Sequence, residues 1–199
     1  MVWGKFIADF NTLGDEVKKY QIIYADPPWK YNSTVSPNQI GKYKSQKANN
    51  HYPTISFKDM QSLPISDIAE DNCALFLWVT FPLLEDCIKI ISAWGFEYKT
   101  VAFNWVKLNK NDGKPYFGTG YYTKSNSEIC LLGVKGRLKP ISNYVSSIVI
   151  QEREEHSKKP SIIRDKIVEL FGNIPRIELF ARQKTEGWDV WGNEVESTI

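Results

Sequence analysis

Short apolar runs alternate along this chain with stretches of helical periodicity. Residues 21–25 read as a buried strand. Pro27 and Pro28 end it, because neither can continue a central ladder. Ser56-Phe57-Lys58-Asp59 has the form of a helix N-cap with an acid at the third position. Residues 74–80 form a continuous apolar strand. Residues 82–94 form a helix with Pro82 near its start and Gly95 past its end, and Leu84, Cys87, Ile88 and Ile91 share its apolar face. A strand alternating only in part follows at 97–107, then a Gly/Tyr/Lys/Asn loop at 109–125, of a length more often functional than idle. Residues 129–134 and 148–151 read as strands. Residues 160–171 read as a helix bounded by Pro160 and Gly172, with Ile162, Ile163, Ile167, Leu170 and Phe171 as its buried face, and 176–180 as the final core strand.

Continuous apolar strands separated by helices predict an α/β fold with a doubly wound, mostly parallel sheet. Ligands of such sheets bind beyond the carboxyl ends of the strands, and Asp26, Thr80, Lys107 and Arg182 fall at or just past such ends. No G-x-G-x-x-G loop occurs, which excludes a dinucleotide site of the common kind.

The 199 residues fit one domain, and 42% hydrophobic content supplies a substantial core. The longest apolar run, 73–84, is too short to span a bilayer, and the first residues lack a signal-peptide core. Cys73, Cys87 and Cys130 have no metal-like spacing and read as reduced, buried cysteines, so the expected compartment is cytoplasmic. No metal cluster is expected, since His51 and His156 are far apart in sequence. Net charge is only +2, but it is unevenly spread. Residues 30–58 carry Lys30, Lys42, Lys44, Lys47 and Lys58 and no acid, and 99–139 carry eight Lys/Arg against Asp112 and Glu128. Basic loops flanking a candidate catalytic loop suit a phosphate backbone; taken singly, each lysine reads equally as an ordinary solvated one.

The candidate chemistry centres on Asp26-Pro27-Pro28-Trp29. A rigid loop at a strand end presents a carboxylate and an indole, which suits an amino group on a flat ring: the carboxylate accepts N–H bonds and an aromatic can stack on the ring. The Pro27 carbonyl offers a second acceptor. Trp29 is either a stacking wall for the base or a hydrophobic plug behind the loop. Tyr31, Tyr43 and Tyr52 are further candidates to close the base pocket.

This motif resembles the Asp/Asn/Ser-Pro-Pro-aromatic signature of amino-methyltransferases, and its Asp-Pro-Pro-Trp form resembles the MT-A70 family of N6-adenine methyltransferases. The likeness extends through Leu75-Phe76-Leu77-Trp78-Val79-Thr80, Asn104-Trp105-Val106-Lys107, residues 128–136, His156-Ser157-Lys158-Lys159-Pro160, Glu178-Leu179-Phe180-Ala181-Arg182 and residues 188–194. It implies a Rossmann-like S-adenosyl-L-methionine-dependent methyltransferase fold with permuted motif order, filling residues 1–199 as one methyltransferase domain. Asp26, Pro27, Pro28 and Trp29 would be catalytic, with Asp26 also close to the cofactor. Asp9-Phe10 loosely matches the pair that holds the cofactor adenine, with a one-residue gap in spacing to Asp26. Lys159 would meet the methionine carboxylate, helped by the start of the following helix; otherwise it is an exposed lysine beside Lys158. Arg182, Asn193 and Glu194 match positions around the cofactor ribose and adenine, although relatives often carry Gln where Glu194 stands. Lys184 stands where some relatives have His. Glu128 would lie near the target adenosine, unless it is a plain strand-end acid, and Lys107 would face the substrate.

The resemblance implies methyl transfer to N6 of adenine in nucleic acid, with DNA the expected substrate and no obligate protein partner. The alternatives are an RNA N6-adenosine methyltransferase, whose relatives usually carry a partner and further N-terminal regions, and a non-catalytic nucleic-acid-binding subunit, against which the intact Asp26–Trp29 tetrad argues. Cytosine-N4 methylation is possible on the chemistry alone, but the tryptophan form and the flanking motifs favour adenine.

Overall fold

A computed structural model of the protein describes residues 17–30, 54–118, 122–154 and 158–199. In chain order these form β1 (Tyr20–Ala25), α1 (Phe57–Gln61), α2 (Ile65–Ile68), β2 (Ala69–Val79), α3 (Leu84–Ala93), β3 (Glu97–Leu108), β4 (Ser127–Lys135), β5 (Ile148–Glu152), α4 (Ile162–Phe171), β6 (Arg176–Leu179) and β7 (Asp189–Trp191). The strands make one sheet in the order β5-β3-β4-β2-β1-β6-β7. β4 is antiparallel to both β2 and β3, while the pairs β1–β2, β1–β6, β3–β5 and β6–β7 are parallel. Six strands therefore point one way, and their carboxyl ends share an edge with the amino end of β4. Among the described residues no helix is long and apolar enough to cross a membrane.

Both faces of the sheet are covered, so its central strands need apolar side chains on each side. In β1, Ile23 and Ala25 pack with Leu75, Leu77, Leu131 and Ile177 under Met60, Ile65, Ile68, Cys87, Ile90 and Ile91 of α1, α2 and α3. The alternate residues Ile22 and Tyr24 pack with Phe76, Trp78, Phe103 and Cys130 under Ile163, Ile167 and Phe171 of α4. Each fully buried aliphatic side chain contributes about 1.5–3 kcal/mol. Tyr20 breaks the alternation and joins the first face. The N–H groups of Gln21 and Ile22 both donate to Pro175 O, at 2.9 and 3.1 Å, and the β1–β2 register shifts at the same place. That is a bulge, which re-aims one side chain.

The elements follow the apolar pattern closely. Ser56 caps α1 by accepting from Asp59 N–H. Gly95 and Gly172 follow α3 and α4 at φ 83° and 87°. Three differences have physical causes. A 3-10 turn over Phe81–Leu83 takes up Pro82, so the α-helix begins only at Leu84. Ile162 is 42% exposed, because the buried stripe of α4 runs through Ile163, Ile167 and Phe171. The segment 176–180 is not the last strand: β7 adds to the sheet edge beyond it.

Beneath the second face lies a buried ion pair. Arg164 of α4 donates from Nε and Nη2 to the two carboxylate oxygens of Glu178 on β6, both at 2.7 Å. Its guanidinium also stands 5.6 Å from the Tyr24 ring centroid. Breaking such a pair leaves a buried charge and costs about 3–5 kcal/mol, whereas replacing both partners with apolar residues of similar volume is close to neutral. We expect Arg164→Met to lose stability in that range in urea unfolding, and Glu178→Leu added to it to recover much of the loss. A double variant as unstable as the sum of the singles would show the two side chains act independently.

Candidate active site

The site forms where the carboxyl ends of β1, β2, β3 and β6 meet the amino end of β4. Helices α1 and α2, linking β1 to β2, cover one face, and α4, leading into β6, covers the other. The chain thus leaves β1 and enters its other neighbour on opposite faces, which opens a crevice beyond the end of β1. Asp26 is the first residue past that end.

Pro27, Pro28 and Trp29, just past Asp26, are each tied down. Trp29 N–H donates to Pro27 O at 2.9 Å in a tight turn around Pro28, and Ile55 N–H donates to Pro28 O at 3.2 Å. Trp29 is 8% exposed and sits in the first-face core. Its Nε1–H donates to Trp78 O at 2.9 Å. The structure therefore displays Trp29 as the plug behind the loop; any stacking on a base would use the small part of the ring left uncovered. Trp29 takes one lone pair of the Pro27 carbonyl, and among the described residues no hydrogen bond takes the other.

Asp26 is held by Lys159, whose Nζ donates to Oδ1 at 2.8 Å and Oδ2 at 2.7 Å. The same ammonium lies 3.4 Å from Glu128 Oε2, and Lys107 Nζ binds Glu128 Oε1. Two cations and two carboxylates thus form a continuous chain: Asp26, Lys159, Glu128, Lys107. Beneath it lies a floor of indoles, with Lys159 5.5 Å from the Trp78 ring centroid and Lys107 5.1 Å from that of Trp105. Trp78 in turn donates from Nε1 to Tyr24 Oη at 2.8 Å. The buried Arg164–Glu178 pair is thereby linked to the Asp26–Trp29 loop through Tyr24 and Trp78.

The electrostatics follow from burial against pairing. Burial pushes the Asp26 carboxyl above its usual range; Lys159 opposes this, and Glu128 adds to it. Burial would also raise Glu128, but the two lysines overcome it and hold this carboxyl below its usual range. For Lys159, burial favours the neutral amine, yet Asp26 and Glu128 more than compensate and keep it an ammonium well above the ordinary lysine range.

The structure thus brings together Asp26, Lys107, Glu128 and Lys159, and gives Glu128 two partners rather than the isolation of a strand-end acid. Lys159 is not an exposed neighbour of Lys158, which pairs with Glu154 at 2.6 Å instead. Trp78, the indole under Lys159, is legible in the sequence only as one residue of an apolar strand. Asp9, Phe10, Tyr31, Tyr43, Tyr52, His51 and His156, with Lys42, Lys44 and Lys47, lie outside the described residues.

On the other side of Asp26, the ends of β6 and β7 carry Arg182, Asn193 and Glu194. Phe180, just past β6, has φ 61°, a left-handed conformation that costs an aromatic residue of order 1–3 kcal/mol. It turns the chain so that Ala181 N–H meets Trp191 O at 3.0 Å. Gly192 then passes so near that a Cβ there would lie 2.2 Å from Ala181 O. This approach sets Arg182 Nε 3.1 Å from Glu194 Oε2, with both side chains about half exposed. Lys184 pairs with Glu196 at 2.9 Å farther out.

The sequence profile of the MT-A70 family matches residues 20–194, from the first residue of β1 to Glu194. The chain belongs to the MT-A70 family. It is 38% identical over 190 residues to the type II methyltransferase M.MunI of a Mycoplasma species, covering 89% of this chain and 78% of that protein. It is 28% identical over 192 residues to the human N(6)-adenosine-methyltransferase catalytic subunit METTL3, and 29% identical to the zebrafish METTL3 subunit. These matches cover 94% of this chain but only 30% and 29% of the two METTL3 proteins, so the chain spans less than a third of their length.

Whether Trp29 anchors the loop or serves a bound base is open to a direct measurement. Trp29→Phe keeps a ring but removes the N–H that satisfies the buried Trp78 carbonyl, which should cost about 1–3 kcal/mol in urea unfolding. Unchanged stability with weakened substrate binding would show that Trp29 works against the substrate instead.

Proposed function

We propose that this MT-A70 family methyltransferase transfers a methyl group from S-adenosyl-L-methionine to N6 of adenine in DNA, as a single domain of Rossmann-like fold with permuted motif order. The observation that carries the reading is Asp26 in its rigid Pro-Pro loop, charge-paired at the crevice beyond β1. The identity to a type II methyltransferase over most of that protein's length supports DNA as the substrate.

The residues past β6 and β7 suit the cofactor. Arg182, Asn193 and Glu194 offer the donors and acceptors that ribose hydroxyls and an adenine edge require. Their close approach at Gly192 leaves these side chains at the open end of the strands. When bound there, S-adenosyl-L-methionine supplies an activated methyl group. Lys159, spoken for by Asp26 and Glu128, would reach a methionine carboxylate only by sharing its ammonium with these partners.

The protein's task is to orient a poor nucleophile. The lone pair of adenine N6 is delocalised into the ring. Asp26 accepts one N–H and the free lone pair of the Pro27 carbonyl accepts the other, which turns the nitrogen toward tetrahedral geometry. Both acceptors are fixed before reaction, so stabilising the developing positive charge needs little reorganisation. Burial that raises Asp26 also makes it a better acceptor for the proton the amine sheds. Glu128 and Lys107 line the side where the base would enter. The base must leave a duplex to reach Asp26, so mismatched or single-stranded targets should be tolerated.

Asp26→Ala should lower methyl transfer by at least about 10²–10³-fold, the typical loss of a preorganised partner, while calorimetry still detects S-adenosylhomocysteine binding. Near-normal turnover would remove Asp26 from the mechanism. Mass spectrometry of digested products from matched DNA and RNA then tests the substrate. N6-methyladenosine in RNA at higher turnover than its deoxy counterpart in DNA would overturn the DNA assignment and leave the chemistry standing.

A further inference from the structure

A cleft of about 660 Å³ lies on the far side of Glu128 from Asp26, between the loop after β3 and the segment leaving β5, with Trp105, Lys107, Tyr116, Glu128, Arg153 and Lys158 in its wall. We propose that it is a subsite for the nucleotide adjoining the target base, with Arg153 as the residue that grips it. The proposal deepens the nucleic-acid reading above and rests on it.

The wall is built rather than incidental. Tyr116 N–H donates to Lys107 O at 2.7 Å, Asn109 N–H to Lys114 O at 2.9 Å, and Arg153 N–H to Leu108 O at 3.2 Å, while Asn126 donates to Tyr116 O. An antiparallel bridge between Leu108 and Pro115 closes the turn. These bonds hold the Tyr116 ring against the Arg153 guanidinium, 3.4 Å from its centroid. Stacking of this kind fixes the plane of the guanidinium and leaves its edge for planar acceptors.

Among the described residues, that edge keeps an unsatisfied donor. Arg153 Nε is buried with no hydrogen-bond partner among the described residues. The carboxylates of the wall are already engaged: Glu128 by Lys107 and Lys159, Glu154 by Lys158, and Asp112 by Lys114 N–H at 3.1 Å. A buried, unsatisfied donor in a folded protein calls for an explanation; here a ligand with paired acceptors supplies one. Such a pair is offered by the oxygens of a phosphate, or by O6 and N7 of a guanine edge.

Position selects a neighbouring nucleotide over an unrelated anion. β3, β4 and β5 supply the cleft, β1 supplies Asp26, and β6 and β7 supply the cofactor side, in that order across the sheet. Glu128 and Lys159 join the cleft to Asp26. A strand whose adenine sits at Asp26 must continue away from the cofactor, and the cleft is where it leads.

The test is Arg153→Gln and Arg153→Lys, with binding of a random-sequence duplex measured by fluorescence anisotropy across a salt series. Arg153→Gln should weaken binding about tenfold, the scale of one charge-assisted hydrogen bond, and leave S-adenosylhomocysteine affinity unchanged. If the acceptor is a phosphate, the slope of log affinity against log salt should shrink by about 0.9 in Arg153→Gln and return in Arg153→Lys. If it is guanine, the loss should be confined to duplexes containing guanine, and Arg153→Lys should not restore it. Tyr116→Leu, which removes the stacking platform but no charge, should weaken binding with little change in slope. Affinity and slope unchanged in folded Arg153→Gln would overturn the subsite. Failure of the DNA assignment reads differently: the wild type would not methylate DNA, yet its affinity for nucleic acid would still depend on Arg153.

Discussion

Lys159 is a cation buried at the end of a sheet, and taking it out of water costs several kcal/mol unless its partners are fixed in place. Asp26 takes two of its hydrogen bonds and Glu128 stands at the third. Glu128 would in turn be over-negative without Lys107. Four charges from β1, β3, β4 and the segment before α4 are therefore mutually required. The aromatic floor of Trp78 and Trp105 adds the favourable face of a π system to a place where water is scarce. Remove any one charge and the remaining three no longer balance.

The fold exists in part to hold those charges still. The parallel arrangement puts the end of β1 beside those of β2 and β6, and the single antiparallel strand β4 brings its first residues, including Glu128, to the same edge. Trp29 locks the Pro-Pro loop to Trp78, Trp78 is bonded to Tyr24, and Tyr24 lies against the Arg164 guanidinium. A rigid loop can orient an amine; a loose one would let its acceptors turn to water and lose the preorganisation that methyl transfer to N6 needs.

Much of this was legible in the chain itself. Continuous apolar runs located β1, β2 and β4, which are buried on both faces, partial alternation located β3, and helical periodicity located the two long helices. Asp26, Lys107, Glu128 and Lys159 were each picked out. Their mutual pairing was not, since Asp26 and Lys159 are 133 residues apart and only the strand order brings them together. The strand β7 escaped because three residues carry no periodicity, and the start of β2 was hidden by the polar Glu70, Asp71 and Asn72. Trp29 carries two readings in the sequence, and its indole N–H bonded to a core carbonyl supports the anchoring one. Arg153 gave no signal at all: its meaning lies in a tyrosine 37 positions earlier, in a loop that the sequence marks only as long and basic.

The dependence of the site on charge balance can be measured at the lysine itself. Heteronuclear NMR of Lys159, followed across alkaline pH, reports when its ammonium loses a proton. The pairing predicts titration above the ordinary lysine value of about 10.4 in the wild type. It predicts a fall below that value when Asp26→Asn and Glu128→Gln remove the carboxylates and leave burial unopposed. An ordinary lysine value in both proteins would contradict it, because Lys159 would then be neither buried nor paired, and the chain of charges would not exist.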